Sequence, residues 1–342
     1  MEAAARSDTR VSPLERALGE LITPADEAAF DTAWLEAQSL VRELTLRPAK
    51  RLRPRLLQLG YELVGEEGAP PSALWRFAVG LEVLHTFLLV HDDVADRSDL
   101  RRGGPTLHRS LNALGDGGSL AVVVGDHLFA HAIELMLSTD LSGAAAATRY
   151  YLGICRHTAV GQYLDLVFSR RALEQVTAFD ALKVAHLKTA KYSFAAPLAC
   201  GTVLADPGSP LTRGVERVGR LAGLAFQLRD DLLGIFGATS ETGKPGDGDL
   251  AQGKRTFPLL VAYRSASPAE REVLERLGRA PRPGDIACAR EIIRGRGGVA
   301  ATERAISRAT HSAVRTARAL PVPRQRLRAL LDLVNQLAER RS

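Results

Sequence analysis

Apolar residues recur at intervals of three and four positions over long windows of this chain, and this helical spacing constrains the fold more than any other feature. Strand signals are few, because β-branched alternation is rare and no Asn-Gly turn occurs. Chain breakers divide the periodic stretches. Ser12-Pro13 opens a first helix, 69–72 starts a long one that ends near Asp96, and 103–105 starts a short one. The sequence therefore predicts an all-α protein.

Further helices are predicted between the later breakers, over 118–138, 144–169, 177–204, 210–236, 255–266, 299–318 and 323–340. Several carry apolar residues on more than one face, which is typical of the central helices of a large bundle. No long linker and no repeat of fixed period interrupts the series. We therefore predict a disordered tail over 1–12 and one helical-bundle domain over 13–342, with a central active-site cavity.

Composition narrows the classes of partner and compartment. The formal net charge of +6 fits a basic surface, or a polyanionic partner such as nucleic acid, an anionic membrane or a phosphorylated substrate. Three widely spaced cysteines without a C-x-x-C pair argue against a disulfide framework or a zinc site and favour a reducing cytoplasm. The first residues contain no apolar h-region, and the most apolar stretches are short. We expect neither a signal peptide nor stable membrane insertion.

Three carboxylates crowd the end of the long predicted helix. Asp92 and Asp96 lie one helical turn apart, with Asp93 beside them. Like charges at this spacing cost about 0.2–0.5 kcal/mol per pair, and anions near a helix C-terminus oppose its dipole by roughly 0.3–1 kcal/mol. A solvated acidic face would not explain the apolar run that precedes them. Carboxylates placed in this way suit Mg²⁺, which takes carboxylate oxygens together with substrate phosphates.

A second acidic pair, Asp230-Asp231, also follows an apolar helical run. The two acidic segments each come late in a long apolar helix, and this suggests that the two helices form opposed walls of one cavity. A polar, Gly-rich stretch over 237–256 comes next and is predicted to be a functional surface loop.

Basic residues accompany both acidic segments. Taken singly, each fits a solvated surface charge, but together with the paired acids they indicate a site for two phosphorylated ligands. Their placement around acids, rather than along one stripe, argues against nucleic acid. These residues are Lys50, Arg53, Arg101, Arg102, Lys188, Lys244 and Lys254.

The ordered motifs resemble those of the trans-isoprenyl diphosphate synthases, also called polyprenyl synthetases, over about 50–258. KRLRP at 50–54 resembles the family's GGKRLRP, and 81–108 resembles its first aspartate-rich region with the arginine pair that follows. FQLRDDLLGIFG, with TGKP and GKRTFP after it, resembles the second aspartate-rich region and its lysine loop. Lesser motifs also match, namely GDHLFA at 125–130, GQYLDL at 161–166 and KTA at 188–190.

The resemblance implies an all-α fold of the isoprenoid synthase type, working as a cytoplasmic homodimer that condenses isopentenyl diphosphate with an allylic diphosphate. It implies about three Mg²⁺ ions, held by Asp92, Asp93, Asp96 and Asp230. The allylic diphosphate would contact Arg101, Lys188, Lys244 and Lys254, and isopentenyl diphosphate would contact Lys50, Arg53, His85 and Arg102. Thr189 and Gln227 would line the reacting carbons.

Two positions depart from the family pattern. Pro48-Ala49 stands where the family usually has Gly-Gly, so the loop that presents Lys50 differs in shape. Gly234 stands where many members have a third aspartate in the second region.

Two other functions are compatible with parts of this sequence. A terpene cyclase shares the fold and one aspartate-rich motif, but it would not need Lys50, Arg53, His85 and Arg102 for a second diphosphate. A non-catalytic subunit of a heteromeric synthase should have lost motif residues, and Gly234 is the one hint of that.

The prediction of product length rests on one bulky residue near the first acidic motif. Phe87 precedes Asp92 by five residues, about 7.5 Å along a helix, and the resemblance implies that an aromatic side chain there blocks the growing chain. The motif also lacks the two-residue insertion of typical bacterial farnesyl diphosphate synthases. We therefore predict the C20 product geranylgeranyl diphosphate, with the C15 farnesyl product as the alternative.

Overall fold

The computed structural model describes residues 12–24, 30–65, 68, 70–237 and 248–339. Over these residues helices form nearly all the regular structure, which confirms the all-α prediction. The chain divides into two compact units, Met1–Arg55 with Ala69–Ala145 and Leu56–Gly68 with Ala146–Ser342. The predictions of a tail over 1–12 and one domain over 13–342 remain predictions. Residues 1–11 lie outside the described part.

The first unit consists of helices and one hairpin. Ser12 caps the first helix, where its hydroxyl accepts from the Glu15 amide and the Glu15 side chain bonds back to the Ser12 backbone. The elements are α1 (Pro13–Leu21), α2 (Thr32–Leu46), the start of α3 (Leu52–Val64), α4 (Ser72–Ala95), β1 (Leu100–Arg101), β2 (Gly104–Pro105), α5 (Leu107–Ser110) and α6 (Gly117–Leu137).

Helix α4 is the central helix of this unit and packs along α6. Its apolar residues are buried, with Leu74, Phe77 and Leu81 fully inaccessible to solvent. It ends where the sequence predicts: the Asp96 amide donates to the Asp92 carbonyl at 2.8 Å, and Arg97 turns into the left-handed region with φ 51°. The acidic segment therefore lies in the last turn of a buried helix.

Helices α4 and α6 are both long and apolar enough to cross a membrane by length and composition. Packing within the protein accounts for the apolar character of α4, because 61% of its most apolar stretch is buried. For α6 the buried share is 44%, so much of its apolar surface stays open in the single chain.

The segment after α4 contains a feature that the sequence does not predict, a tight hairpin in which Arg101 pairs with Gly104. The short helix predicted to start at 103–105 follows it as α5, which begins at Leu107. Arg102 and Gly103 form the turn with φ 52° and 76°, the positive values that a two-residue hairpin requires. The Arg47 guanidinium fixes the hairpin by donating to the carbonyls of Arg101 and Pro105 at 2.9 and 2.8 Å.

The second unit is wholly helical within its described residues and contains the rest of α3. Its further elements are α7 (Ala144–Arg170), α8 (Ala178–Val184), a π-helical segment (Ala185–Ala195), α9 (Ala196–Ala205), α10 (Thr212–Phe236), α11 (Gly248–Ala251), α12 (Phe257–Ser265), α13 (Pro268–Arg276), α14 (Asp285–Gly295), α15 (Gly298–Arg318) and α16 (Arg324–Glu339).

The helix predicted over 177–204 exists, but its middle is the π-helical segment, with one extra residue per turn. Helix α10 packs against this segment at very short range. A Cβ at Gly219 would lie 2.8 Å from the Cα of Ala195, and one at Gly223 would lie 2.7 Å from the Cα of Ala190. The two glycines therefore set how closely α10 approaches the π-helical segment.

The other predicted helices match α6, α7, α10, α12, α15 and α16 to within about two residues, the usual uncertainty of helix ends. Of the described helices, α2, α11, α13 and α14 are not among the predictions, and α3 has no predicted range.

Candidate active site

The last turn of α4 places the three predicted metal ligands in different surroundings. Asp92 and Asp96 are half-buried, whereas Asp93 is only 1% exposed. Both oxygens of the Asp93 carboxylate accept from Nε of Arg101 at 3.1 Å, and Nη2 of Arg101 also contacts this carboxylate. Asp93 therefore holds an arginine in place, and its role as a metal ligand remains a prediction.

Arg101 stands among all three carboxylates. Burial opposes its charge, but the hydrogen bonds and charge of Asp93, with the charges of Asp92 and Asp96, outweigh it and raise the pKa of Arg101. The guanidinium is therefore cationic at every working pH. It keeps further N–H donors for a ligand, because a guanidinium carries five.

A second cationic cluster surrounds His85. Burial is the largest influence on this imidazole, and the charges of Arg53, Arg102, Arg101 and Arg51 add to it, so the pKa of His85 falls well below its usual range. Burial and the neighbouring arginines also lower the pKa of Arg102 to about 10, against the opposing charge of Glu82. Cations gathered this closely favour an anionic ligand.

One buried acid organises this cluster. Glu82 is 2% exposed and accepts from Nη1 of Arg51 at 2.8 Å, while Nη2 of Arg51 donates to the Thr45 carbonyl at 2.5 Å. These bonds hold Arg51 at a φ of 44°, a left-handed conformation that is uncommon for a residue with a side chain. Lys50, which precedes it, is exposed.

Phe87 lies on α4, in the stretch that leads to the acidic segment. Its half-buried ring contacts the His91 ring at a centroid distance of 4.6 Å and the Phe129 ring at 5.2 Å. Because Phe129 belongs to α6, the aromatic contact bridges the two helices. The ring of Phe87 therefore has the partners needed to hold it in one position.

A hydrogen-bonded series links the π-helical segment to α10. The Thr189 hydroxyl donates to Oε1 of Gln227 at 2.6 Å, and Nε2 of Gln227 donates to Oδ1 of Asp231 at 2.8 Å. The series fixes the orientation of the Gln227 amide, because its oxygen and nitrogen each have a defined partner. Beside Thr189, Lys188 forms an ion pair with Asp165 of α7 at 3.1 Å.

Asp231 has a strongly perturbed carboxyl group. Burial is the largest cause, and the charges of Asp249, Asp230 and Asp165 add to it, so its pKa rises to about 7 although the hydrogen bond from Gln227 opposes the rise. Asp230, the predicted metal ligand, is exposed beside it. A carboxyl group whose pKa is raised by neighbouring carboxylates marks a place where a cation would be stabilised.

The lysine loop is described only in its second half, so Lys244 lies outside the described residues. The Lys254 amide donates to the Asp249 carbonyl at 3.0 Å, and its ammonium pairs with the Asp249 carboxylate at 2.9 Å. The buried Arg255 fixes the turn by donating to the carbonyls of Gly253 and Arg171 at 3.0 and 2.7 Å.

Several acids around these cations are absent from the sequence-based assignments. Asp165 lies in the GQYLDL motif, and Asp231 follows Gln227 at the four-residue spacing that brings side chains together on a helix. Glu82 is a lone acid within an apolar run, a position that signals a buried partner. Asp249 had no sequence signal that would link it to α10.

Comparison with known proteins gives consistent matches. The profile of the polyprenyl synthetase family matches residues 35–294. A geranylfarnesyl diphosphate synthase from Aeropyrum pernix is 34% identical over 249 residues, which make up 71% of this chain and 75% of the relative. A (2E,6E)-farnesyl diphosphate synthase from Mycobacterium bovis is 32% identical over 281 residues, which make up 78% and 75%.

A solved structure extends the likeness to the whole fold. The geranylgeranyl pyrophosphate synthase from Corynebacterium glutamicum, complexed with isoprenyl diphosphate and magnesium, superimposes with a TM-score of 0.87 at 30% identity. The match covers 96% of this chain and 98% of that one.

Proposed function

The chain belongs to the polyprenyl synthetase family and is a short-chain trans-prenyl diphosphate synthase, and we propose that it makes geranylgeranyl diphosphate in a Mg²⁺-dependent reaction. Its substrates are isopentenyl diphosphate and an allylic diphosphate. The observation that carries the proposal is the group of arginines around His85, whose pKa is lowered by burial and by these arginines, beside the carboxylates of Asp92 and Asp96. Such a group suits one diphosphate held directly and another held through metal.

The carboxylates fit Mg²⁺ by their chemistry. Among the described residues no three Asp, Glu, His or Cys side chains are grouped to hold a metal ion by themselves. Mg²⁺ does not require such a group, because it commonly takes one or two carboxylates together with substrate phosphates and water. Asp92 and Asp96 would supply ligands in the first unit, and Asp230 in the second. When bound, Mg²⁺ would neutralise the charge that develops on the leaving diphosphate.

The cations divide between two diphosphates in this proposal. Arg53, Arg102, His85 and the exposed Lys50 would hold isopentenyl diphosphate. Arg101, Lys188, Lys244 and Lys254 would hold the allylic diphosphate. Arg101, Lys188 and Lys254 are each paired with an acid, and the pairing fixes their direction before a substrate arrives. Preorganised charges stabilise a leaving group without reorganising during the reaction.

The Thr189–Gln227–Asp231 series would act on the allylic carbon. The allylic carbon–oxygen bond breaks, the cation forms, and the isopentenyl double bond attacks it. Because the Gln227 amide oxygen accepts from Thr189, its dipole is fixed and can face positive charge. The isopentenyl double bond is the nucleophile, and the proton lost after attack would pass to the departing pyrophosphate, so neither a protein nucleophile nor a protein base is required.

The product assignment rests on Phe87. Relatives named for the C25 and C15 products share 34% and 32% identity with this chain, so overall identity does not select a chain length. A local feature must do so. The aromatic contact between Phe87 and Phe129 would hold the Phe87 ring as a barrier to the growing chain, and this supports the proposal of a short product.

A homodimer is part of the proposal. Helix α6 exposes Val122, Val123 and Leu137, with 39%, 63% and 52% of each residue accessible. Asp126 and Glu134 of the same helix are also exposed, with 71% and 78% of their side chains accessible. A surface that mixes apolar and polar residues in this way is typical of one that a second copy covers. The same burial would explain the high hydropathy of α6 without membrane insertion, and the three free cysteines suit a reducing cytoplasm.

The test is a product analysis with purified protein. Labelled isopentenyl diphosphate is supplied with dimethylallyl, geranyl or farnesyl diphosphate, with Mg²⁺ or with excess chelator. We expect a C20 product from each primer, and no product under chelation. A C15 product would select the farnesyl alternative, and turnover in chelator would refute the metal assignment.

A further inference from the structure

The positive charge of this chain is concentrated in one segment. Residues 304–331 include seven arginines and neither aspartate nor glutamate. The formal charge of this segment, +7, exceeds the +6 of the whole chain, so all other residues together carry a net charge of −1. None of these arginines is among the proposed diphosphate contacts, and the basic character of the protein therefore needs a separate explanation.

Four of the arginines form a row along α15, and a histidine lies within it. Successive members are four, three, four and three residues apart, a spacing that aligns side chains on one face of a helix. The row extends over about 21 Å at about 1.5 Å per residue. All five members are exposed, namely Arg304, Arg308, His311, Arg315 and Arg318.

The opposite face of α15 is buried in the second unit. With about 3.6 residues per turn, the centre of this face lies about half a turn from the row. Because its apolar side chains are already covered, α15 has no free apolar face to insert into a bilayer, and the row is what it presents to solvent. The buried residues are Gly298, Thr302, Ile306, Ala309, Ala313 and Ala317.

Nearby acids leave the row uncompensated. Glu303 is the acid of α15, and its two carboxylate oxygens accept from Nη1 and Nη2 of Arg229 on α10 at 2.6 and 2.9 Å. Asp332, on the adjoining α16, lies 4.0 Å from Arg328 of its own helix. Within the described ranges no acid forms an ion pair with an arginine of the row. A row of one charge sign attracts an extended anionic surface.

We propose that the arginine row of α15 docks the enzyme, without insertion, on an anionic lipid bilayer that receives its prenyl diphosphate product. Clusters of about four to eight basic residues on a helix are typical of binding to anionic lipid headgroups. The product gives a second reason, because its hydrocarbon tail is driven out of water while its diphosphate stays charged. The inference rests on prenyl diphosphate synthesis, and it holds for any chain length of the product.

Nucleic acid is the other extended anionic surface, and the segment suits it less well. Single strands are bound largely by stacking of bases on aromatic side chains, and residues 298–342 contain no Phe, Tyr or Trp. Proteins that read duplex DNA usually place a helix in a groove, whereas α15 packs along α10. A bilayer requires only charge of one sign along an exposed surface, which the row provides.

The experiment measures co-flotation of the purified full-length protein with lipid vesicles. Vesicles of phosphatidylcholine alone are compared with vesicles that also contain phosphatidylglycerol, at rising NaCl concentrations. We expect binding to the anionic vesicles only, and loss of that binding as salt screens the charges. Each arginine near the surface contributes about fivefold in affinity. The double variant Arg308→Gln/Arg315→Gln should therefore bind more weakly by about tenfold or more.

Matched double variants separate the row from the total charge. Arg308→Lys/Arg315→Lys keeps both charges and should bind anionic vesicles within about threefold of the wild type. Arg76→Gln/Arg149→Gln removes the same charge from exposed arginines of α4 and α7 and should also stay within about threefold. Thermal unfolding, and prenyl transfer measured without vesicles, should be unchanged in all three double variants.

Three results would overturn the docking surface. The first is equal binding to neutral and anionic vesicles, or no binding by the wild type. The second is an Arg308→Gln/Arg315→Gln variant that binds as the wild type does, or an equal loss in Arg76→Gln/Arg149→Gln, which would assign binding to net charge. The third is binding of duplex DNA or single-stranded RNA that depends on the row and is tighter than vesicle binding at the same salt.

Prenyl transfer measured in parallel keeps this inference apart from the proposed function. A wild type that transfers prenyl groups but binds no vesicles would remove the docking surface and leave the proposed function standing. A wild type that binds anionic vesicles through the row but transfers no prenyl group would remove the proposed function alone.

Discussion

Replacing Phe87 with alanine tests the product assignment most directly. The residue lies five positions before Asp92 on α4, about 7.5 Å along the helix. Its ring contacts Phe129 and His91, and alanine removes the whole phenyl group. Dry apolar cavities of benzene size accept apolar ligands, so the freed space suits about one five-carbon unit. We expect products longer than C20, with diphosphate affinities nearly unchanged because no charge is altered.

The exposure of the Phe87 side chain sets an upper limit on the stability that Phe87→Ala should lose. Removing a fully buried phenylalanine side chain costs about 3–5 kcal/mol, so the half-buried Phe87 should cost about 3 kcal/mol or less. Phe77, on the same helix and fully buried, provides the matched control. Phe77→Ala should lose stability over the full range without lengthening the product. Phe77→Leu and Phe87→Leu repeat the comparison with smaller losses of volume.

The assay joins chain-length chromatography of labelled products with thermal unfolding of each variant. The reasoning predicts that product length changes at Phe87 and stability changes chiefly at Phe77. An unchanged product from a folded Phe87→Ala enzyme would refute the barrier assignment and the preference for C20. A similar lengthening in Phe77→Ala would mean that loosened packing, rather than a defined barrier, sets the length.

Further predictions address the charged groups. Asp92→Ala should lower turnover by about 100-fold or more, measured at saturating Mg²⁺; near-normal turnover would remove Asp92 from the metal site. Arg53→Ala should raise the KM for isopentenyl diphosphate more than the KM for the allylic substrate, and Lys188→Ala should do the reverse. Separate saturation curves for the two substrates measure this. Equal effects on both KM values would show that the two subsites are misassigned. If the Asp93 carboxylate holds Arg101 rather than a metal ion, Asp93→Asn should weaken pyrophosphate binding and leave the Mn²⁺ affinity within about threefold of the wild type. A loss of Mn²⁺ binding would instead support the predicted role of Asp93 as a metal ligand. His85 has a folded-state pKa below the unfolded value near 6.5, so its neutral form contributes stability that is present above pH 6.5 and lost as pH falls below it. His85→Gln should flatten this part of the unfolding free energy measured against pH, and an unchanged slope would contradict the assignment.

The sequence predicts local features well where one element determines them. The end of α4 at Asp96 follows from an apolar run, an acidic cluster and the breakers after it. The Arg102–Gly103 turn does not, because a two-residue hairpin with an arginine at positive φ lacks the usual Asn-Gly signal. The π-helical segment around Lys188 also has no marker, since its extra residue per turn leaves the composition unchanged.

In the candidate site, too, some features can be predicted from the sequence and others cannot. Acids and bases can be assigned from motifs, but their pairing depends on tertiary packing. Arg101 follows Asp93 closely in sequence, yet only the hairpin turns its guanidinium back onto that carboxylate. Asp249 of α11 lies beside Gly234 of α10, and no short-range sequence pattern predicts that these two positions are close.

The acids that motif reading leaves out act mainly on cations. Arg51 has Glu82, Lys188 has Asp165, and Lys254 has Asp249. Without its acidic partner, each of these cations would be freer to turn toward solvent before substrate arrives. A paired side chain keeps its position and still has N–H donors for phosphate, because an ammonium has three and a guanidinium five. The carboxylates thus preorganise the cations at the cost of part of their net charge. Mg²⁺ bound with the diphosphate would add positive charge when the leaving group needs it.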